Sequence, residues 1–331
     1  MKLIDSYGRT HDYLRISLTE RCNFGCIYCN PNDQFDKSKK TDLMTFEEIL
    51  RMIELFAGKL EFKKFRFTGG EPLVRKGIFD FFAELKTLKN KYGFQTGITT
   101  NGSLLSGREK ELKELGIDRL NISLDSLNLK KFQKITKINA LIKILDVIDK
   151  SLTAGFSPLK VNAVIIKGIN DDEIVSFVDY FKNRNVNVRF IEFMPFGGNG
   201  WEKDGFVGYK KMKSIIEEKY RLIPDEAKPN AAAKEFRLQS YPARVSFISS
   251  ISEHFCSTCN RVRVSSTGRF RLCLFSEGSH GINFRDLFRA NYTDDEIALK
   301  IAEAINGKWE KHPDAENLAI LIENNMKNIG G

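Results

Sequence analysis

Runs with strand-like alternation and amphipathic helical stretches follow one another over the first 222 of the 331 residues. The alternating β-rich runs predict six strands, at 14–18, 63–67, 95–100, 119–124, 159–166 and 186–194. Apolar residues spaced by three or four positions predict helices between them, at about 45–56, 77–90, 107–115, 139–153, 171–184 and 209–219. Six strand-then-helix units predict a parallel sheet with right-handed crossovers.

The pattern changes after about residue 222. Short strand-like runs follow without long helices between them, in "EFRL", "ARVSFISS", "RVRVSS" and "FRLCL". Two helical stretches come next, at about 293–306 and 315–327. The sequence therefore predicts an α/β protein: a partial, TIM-like (βα)6 barrel over 1–222, and an α+β region over 223–331 that closes the barrel mouth.

Unusual residues follow the carboxyl ends of the predicted strands, where barrel enzymes have their active-site residues. Three cysteines follow the first strand, and "TGGEP" (68–72) follows the second. "TNG" (100–102) ends the third strand, and "EFMP" (192–195) ends the sixth. We expect these segments to meet at one mouth of the barrel.

The first cysteine group is Cys22, Cys26 and Cys29, within "RCNFGCIYCNP". Structural zinc takes four ligands and a disulfide takes two. A four-iron, four-sulfide cube takes one protein ligand per iron, so three cysteines leave one iron open for a substrate or cofactor. The alternatives are a zinc site completed by a distant ligand, or buried structural cysteines. "GGEP" favours the cluster, because Gly69 and Gly70 lack a Cβ and let backbone polar groups approach a bound amino acid.

The second cysteine group is Cys256, Cys259 and Cys273. The turn "SSTG" between two strand-like runs predicts a hairpin that returns Cys273 to the side of Cys259. Two interpretations remain open. One is a second cluster whose open iron binds substrate, and the other is a zinc knuckle with His254 as the fourth ligand.

Arginines alternate with apolar residues beside this group. The two-residue period places Arg261 and Arg263 on one strand face, and Arg269 and Arg271 alternate in the same way on the facing strand. A charged, exposed sheet face is one interpretation. A phosphate clamp beside Cys259 is the better one, because guanidinium groups bind phosphate oxygens in pairs.

Composition narrows the classes of protein. With 42% hydrophobic and 29% charged residues, the chain resembles a soluble globular protein. It has no apolar run near the roughly 20 residues that cross a bilayer, and its start lacks the core of a signal peptide. We therefore expect a cytoplasmic protein whose six cysteines are reduced. The charge of +9 indicates a solvated basic surface or an anionic partner.

The first cysteine loop, with Tyr28 between its last two cysteines and "GGEP" after the next strand, closely resembles the radical S-adenosylmethionine (SAM) superfamily. This resemblance implies that SAM chelates the open iron through its amino and carboxylate groups. It also implies a 5′-deoxyadenosyl radical that abstracts a substrate hydrogen.

A longer series of motifs resembles the GTP 3′,8-cyclase family of molybdenum cofactor biosynthesis, in order and from about residue 10 to residue 331. The motifs are "TERCNFGCIYCNP", "FTGGEPLVR", "ITTNG", "NISLDSL", "GIND", "RFIEFMP", "FCSTCNRVRV" and a terminal Gly-Gly. The resemblance implies conversion of GTP to (8S)-3′,8-cyclo-7,8-dihydroguanosine 5′-triphosphate. It further implies an electron donor such as flavodoxin or ferredoxin, and a cyclic pyranopterin monophosphate synthase that takes the product. A homodimer is left open, and no membrane or nucleic-acid partner is expected.

The same resemblance assigns roles to individual residues. It implies two [4Fe-4S] clusters, one on each cysteine group, and no catalytic side chain. The residues implied to contact GTP are Arg15, Arg66, Thr99, Lys160, Arg261, Val262 and Arg263. Those implied to contact SAM are Tyr28, Gly70, Ser123 and Met194. The terminal Gly330 and Gly331 are expected to enter the site and assist turnover.

Two departures from the family pattern affect local contacts. Asn30 follows the third cysteine, where the family often has Met, and the segment 127–141 is short. One alternative function is a radical SAM enzyme that modifies a peptide, although such enzymes usually carry more cysteines in the C-terminal region. The other is a zinc-containing nucleic-acid-binding protein, for which the chain lacks an aromatic stacking platform and a basic stripe.

Overall fold

The computed structural model describes residues 1–29, 42–226, 230–276, 281–321 and 326. Asn30, Gly330 and Gly331 lie outside the described residues. The chain begins with a two-stranded antiparallel hairpin of β1 (Leu3–Ile4) and β2 (Thr10–His11). All the other described strands belong to one sheet of eleven.

Six neighbouring parallel strands form the centre of this sheet, in chain order. They are β3 (Tyr13–Ser17), β4 (Lys64–Thr68), β5 (Gln95–Thr100), β6 (Arg119–Ser123), β7 (Leu159–Ile165) and β8 (Val186–Glu192). Each is one of the predicted strands, with small shifts at the ends. The α/β class and the partial barrel are therefore confirmed.

Helices connect these strands. They are α1 (Phe46–Gly58), α2 (Ile78–Tyr92), α3 (Glu109–Glu114), α4 (Leu129–Thr136), α5 (Leu141–Thr153), α6 (Ile174–Phe181) and α7 (Tyr209–Glu217). Short 3₁₀ turns lie at Pro72–Val74, Asp171–Glu173, Lys203–Gly205, Cys256–Thr258 and Ile305–Gly307. Thr45 and Glu48 form a capping box at the start of α1, where the side chain of each accepts the backbone N–H of the other.

The C-terminal part of the chain extends the sheet at both edges. Beside β8 lie β11 (Arg244–Ile248), β10 (Lys234–Leu238) and β9 (Leu222–Pro224), and beside β3 lie β12 (Arg261–Val264) and β13 (Phe270–Arg271). The expected hairpin is present as β12 and β13, which pair antiparallel. The helices that follow are α8 (Phe284–Arg289), α9 (Asp294–Ala304) and α10 (Ala315–Leu321). The expected boundary at residue 222 coincides with the start of β9, and the two-domain division stays a prediction.

The central strands have one apolar and one polar face. In β7, buried Leu159 and Val161 alternate with half-buried Lys160 and Asn162. The buried side chains join the helices in a continuous apolar core, and burying each one is worth about 1.5–3 kcal/mol. The face turned away from the helices, which we call the inner face, carries the polar side chains. A complete barrel fills its interior with bulky apolar residues, whereas this inner face suits a polar ligand.

Within the described ranges, no helix combines the length and the apolar character that a bilayer crossing requires.

Candidate active site

The first cysteine loop follows β3 and is held by α4. The backbone N–H of Gly25 donates to the carbonyl of Thr136 at 3.0 Å, and that of Ile27 donates to the same end of α4 at 3.0 Å. Phe24 in the loop packs edge-on against Phe132 of α4, with 6.2 Å between ring centroids. A helix that the sequence analysis missed therefore fixes the position of the loop.

The cysteines of this loop form no disulfide with another described cysteine; Cys22 is exposed, and Cys26 and Cys29 are half-buried. The N–H of Phe24 lies 3.4 Å from Cys22 Sγ, and Asn101 Nδ2 lies 4.0 Å from the same sulfur. Hydrogen bonds to cysteine sulfur are also a feature of protein-bound iron–sulfur clusters. In the part of the chain that is described, no three His, Cys, Asp or Glu side chains are grouped to hold one metal ion. A cube needs no such grouping, because each cysteine binds a different iron, so the donor set fits a cluster.

The glycines of "GGEP" pack directly against the cysteine loop. The N–H of Gly70 donates to the carbonyl of Thr19 at 2.7 Å. A Cβ on Gly69 would lie 2.5 Å from the Thr19 oxygen, and one on Gly70 would lie 2.3 Å from the Arg21 oxygen. The backbone of the chain itself thus occupies the space that the missing Cβ atoms leave. The geometry thus supplies a packing reason for these glycines, and the approach of a bound amino acid to their backbone stays a prediction.

Glu71 ties the second strand end to the third. Its buried carboxylate accepts the Thr100 hydroxyl at 2.7 Å and the Asn101 N–H at 2.7 Å. Burial raises the pKa of Glu71 to about 7, although these hydrogen bonds oppose the rise. Asn101 in turn donates to the side chain of Asn23 in the cysteine loop at 2.9 Å. The "GGEP" and "TNG" motifs therefore form one network around the first cysteine group.

Tyr28 reaches the end of the fourth barrel strand. Its hydroxyl donates to Asp125 Oδ2 at 2.7 Å, and Asp125 Oδ1 accepts the N–H of Val164 at 2.9 Å. Burial raises the pKa of Asp125 to about 6. Ser123, also expected to contact SAM, is the half-buried last residue of β6, two positions before Asp125.

Asn199 links two of the residues expected to contact SAM. Its Nδ2 donates to the carbonyl of Met194 at 2.9 Å and to that of Tyr28 at 3.3 Å. Met194 also packs against an apolar cluster that includes Phe196 and Phe275. Sequence reasoning missed Asn199, which lies in the loop "GGNG" outside any periodic pattern.

Four arginines lie at one level on four adjacent strands. Arg271 pairs with Arg263 across the hairpin, Arg263 pairs with Arg15, and Arg15 pairs with Arg66. The next residue in this row is Gly97 of β5. A Cβ there would lie 2.8 Å from Arg66 Nη2, so glycine leaves room for the guanidinium.

Arg66 makes contacts that orient it along the inner face. Its Nε donates to the hydroxyl of Tyr13 at 2.7 Å, and its Nη1 lies 3.5 Å from the hydroxyl of Thr99. Burial raises the pKa of Tyr13, but the charges of Arg66, Arg15 and Arg261 outweigh it and lower this pKa to about 8.

Lys160 and Arg189 continue the positive region. Burial and the charges of Arg189 and Arg66 lower the pKa of Lys160 to about 7. Burial lowers the pKa of Arg189 to about 10, and Arg66 adds to this effect. Arg189 pairs with Asn162 of β7. Sequence reasoning missed Arg189, although the alternation in "VNVRFIE" could have placed it on the inner face.

Val262 is the exception among the residues expected to contact GTP. It is fully buried in the apolar core, on the opposite strand face from Arg261 and Arg263. Only its backbone is therefore available to a ligand on the inner face.

The second cysteine group lies at the hairpin that the sequence predicted. The N–H of Cys259 donates to the carbonyl of Cys256 at 3.1 Å, and Cys273 follows β13. Burial raises the pKa of Cys256 and of Cys273. His254, the fourth ligand in the zinc interpretation, packs edge-on against His312, with 5.5 Å between ring centroids.

Solved structures share this fold. The Streptococcus suis SuiB structure with S-adenosylmethionine has a TM-score of 0.63 and 15% identity, covering 87% of this chain and 67% of SuiB. A structure of anSMEcpe with bound AdoMet has a TM-score of 0.55 and 14% identity, covering 95% of this chain and 93% of that one. At such identities the likeness establishes the fold alone.

Sequence relatives are far more similar. Molybdenum cofactor biosynthesis protein 1 of Bos taurus is 41% identical over 332 residues, covering 97% of this chain and 51% of the relative. The mitochondrial GTP 3′,8-cyclase of Arabidopsis thaliana is 40% identical, covering 99% and 83%. The GTP 3′,8-cyclase of Thermodesulfovibrio yellowstonii is 39% identical, covering 92% and 94%. The chain thus spans about half the length of the bovine relative but nearly all of the bacterial one.

Two family models match adjoining parts of the chain. The radical SAM superfamily matches residues 16–181, and Molybdenum Cofactor Synthesis C matches residues 186–314. The first includes the cysteine loop and strands β4 to β7, and the second includes the sixth barrel strand, β8, and the segment with the other cysteine group. The chain belongs to the radical SAM superfamily and, within it, to the GTP 3′,8-cyclase family.

Proposed function

We propose that this protein converts GTP to (8S)-3′,8-cyclo-7,8-dihydroguanosine 5′-triphosphate, the first step of molybdenum cofactor biosynthesis. One observation carries the proposal beyond family membership. Arg263, Arg15 and Arg66 lie level on adjacent strands of the inner face, beside the second cysteine group. Guanidinium groups bind phosphate oxygens in pairs. A triphosphate fits this arrangement.

We infer that the protein carries two [4Fe-4S] clusters and SAM. Cys22, Cys26 and Cys29 would hold the cluster that binds SAM, and the second cysteine group would hold the other. When bound and reduced, the first cluster and SAM supply the radical that removes a hydrogen atom from the substrate.

The residues of this chain bind and position the two ligands. Lys160 and Thr99, with the arginines of the inner face, would hold the triphosphate and fix its direction. Tyr28, Ser123 and Met194, with the backbone at Gly70, would line the SAM site. Holding two reactants in a fixed orientation lowers the entropic barrier to their reaction. The polar interior of the partial barrel supplies the space in which they meet.

The proposal includes partners that family membership implies. These are GTP as substrate, an electron donor such as flavodoxin or ferredoxin, and a cyclic pyranopterin monophosphate synthase that takes the product. A homodimer is consistent with the proposal. We place the protein in the cytoplasm, since reducing conditions keep the cysteines available for clusters.

Modification of a peptide is the second candidate function. SuiB, whose structure has also been solved with a precursor peptide, shares the fold of this chain at low identity. A row of arginines on the inner face favours a polyphosphate over a peptide chain. Membership in the radical SAM superfamily speaks against the zinc-containing nucleic-acid-binding protein.

Anaerobic reconstitution followed by an iron assay and product analysis tests the proposal. We expect about eight irons per chain, from two four-iron clusters, and a cyclised triphosphate product from GTP, SAM and a reductant. Replacing Cys22, Cys26 and Cys29 with Ala should remove about half of the iron and all SAM cleavage. Replacing Cys256, Cys259 and Cys273 should remove the other half and the cyclised product. A zinc-loaded, iron-free protein with full activity would contradict the proposal.

A further inference from the structure

One buried ammonium joins the two segments that carry Cys259 and Cys273. Lys308, which is only 4% exposed, follows the 3₁₀ turn after α9. Its Nζ donates to the carbonyl of Arg261 at 2.6 Å and also to that of Leu272. Arg261 is two residues after Cys259, and Leu272 immediately precedes Cys273. The ammonium therefore bridges the cysteine-bearing end of the hairpin.

A second buried cation holds the remaining cysteine. Arg9 of the N-terminal hairpin donates to the carbonyl of Cys256 at 2.8 Å and to that of Trp309 at 2.7 Å. The charge of Arg9 is balanced within the protein, because its Nε lies 2.6 Å from the fully buried carboxylate of Asp5.

The surroundings of the Lys308 ammonium differ from those of the Arg9 guanidinium, which lies beside the carboxylate of Asp5. In the described part of the chain, the acceptors of its ammonium are neutral backbone carbonyls. Burial lowers the pKa of Lys308, and the charges that raise it most are those of Cys259 and Cys273, ahead of Asp5. A buried cation without an anion nearby is destabilising. The cysteine sulfurs are the groups placed to supply that anion.

We propose that Lys308 is a positioning residue and the counter-cation of the second cluster. Its charge offsets the negative charge of the cysteine-bound cluster, and its two hydrogen bonds fix the spacing between Cys259 and Cys273. This inference rests on the second cluster of the proposed function. A cation beside a cluster stabilises the reduced, more negative form, since net charge and hydrogen bonding set cluster potentials. Removing the charge should therefore lower the reduction potential of the second cluster alone.

The test compares Lys308→Met, Lys308→Arg and Lys311→Met in the full chain after anaerobic reconstitution. Met keeps an unbranched side chain without charge, Arg keeps the charge, and Lys311 is an exposed lysine three residues away. Iron is counted, and both clusters are titrated against potential by electron paramagnetic resonance, with the first cluster as internal reference. In Lys308→Met we expect the second cluster to shift to a more negative potential, or to be lost with about half of the iron. The first cluster should be unchanged, and Lys308→Arg and Lys311→Met should retain the wild-type potentials.

The outcomes separate this inference from the proposed function. A wild-type protein with only one cluster would contradict the second cluster itself. Two clusters in the wild type, with unshifted potentials in Lys308→Met, would overturn the role of Lys308. Equal loss in the Met and Arg variants, or loss of both clusters together, would assign Lys308 to packing and also overturn the proposal.

Discussion

On the inner face, three positively charged arginines lie side by side on neighbouring strands. Arg263, Arg15 and Arg66 are paired side by side, and like charges directly opposite each other destabilise a sheet. A ligand with several negative charges would relieve this repulsion. We therefore expect GTP to stabilise the folded protein, since a ligand that binds only the folded state raises its stability.

Arg263→Ala tests the phosphate clamp. Loss of one charged hydrogen bond costs about 1.5–3 kcal/mol, so GTP affinity should fall about tenfold or more. SAM affinity should change little, and equilibrium dialysis with each ligand measures both. Arg269→Ala is the matched control, because Arg269 lies on the same hairpin but is exposed. An equal loss of affinity for GTP and SAM, or no loss for either ligand, would show that Arg263 does not bind the phosphates of GTP.

The pH dependence of GTP binding tests Lys160. Its pKa in the free protein is about 7, lowered by burial and by Arg189 and Arg66, and a bound triphosphate favours the protonated form. Affinity for GTP should therefore fall between pH 7 and pH 9, by at most about tenfold per pH unit for one proton. Lys160→Met should flatten this dependence. Lys143→Met, which removes an exposed lysine of α5, should not.

The stability of the GTP-free protein should rise with pH, whereas the affinity for GTP should fall. Between about pH 7 and pH 10.5, Lys160 is protonated in the unfolded chain but has released its proton in the folded protein. The contribution of Lys160 to the free energy of unfolding should therefore rise with pH in this window. Thermal midpoints of the wild type and Lys160→Met, measured across the window, check the sign. A contribution that falls with pH would contradict the lowered pKa.

The sequence predicted some of these residues and missed others for physical reasons. Two-residue alternation within a strand indicates that Arg261 and Arg263 share a face. It does not reveal that Gly97 leaves room for Arg66, since that contact joins two strands in register. Lys308 was also missed, because a lone lysine after a helix carries no pattern.

At the scale of elements, the short helix α4 determines where the first cysteine loop lies. This helix was not predicted, although Leu129, Phe132 and Ile135 recur every three residues, because eight residues give only about two helical turns. The longer helices and all six barrel strands were predicted, since the apolar positions in each repeat several times at the spacing of a helix or a strand. The helix α8, of six residues, was also not predicted.

Phe132→Ala tests the coupling between α4 and the cysteine loop. Removing this buried ring should lower the free energy of unfolding by about 3–5 kcal/mol. It should also release iron selectively from the first cluster, because Phe132 packs against Phe24 of the loop. Phe181→Ala of α6 is the control, because Phe181 is equally buried on another helix. Similar iron loss in both variants would show that general destabilisation is the cause.

At the scale of the whole molecule, the terminal glycines remain a separate prediction. Gly330 and Gly331 lie outside the described residues, and free termini are ordinarily dispensable. If the tail enters the site, deleting both should leave iron content and thermal midpoint unchanged while the cyclised product falls steeply. SAM cleavage without product would support the same role. Wild-type product formation by the truncated chain would show that the two glycines are dispensable for the reaction.

Sheet topology at this scale could be predicted only in part. The order of the six central strands follows from the chain, because consecutive βα units place successive strands side by side. The pairing of β11 with β8 and of β12 with β3 brings together segments that no local pattern connects. The C-terminal part of the chain therefore contributes strands to the same sheet as the barrel.

That continuity has a consequence for how the protein is made. During synthesis, β3 and β8 emerge as the two open edges of a six-stranded sheet, and exposed edges invite pairing with other chains. Both stay uncovered until β11 and then β12 have left the ribosome. The pairing of β12 with β3 joins residues 261–264 to residues 13–16, and a contact between segments so distant in sequence forms slowly. The second cysteine group reaches the barrel only with β12 and β13, so we expect the cluster proposed for it to assemble after the barrel has folded.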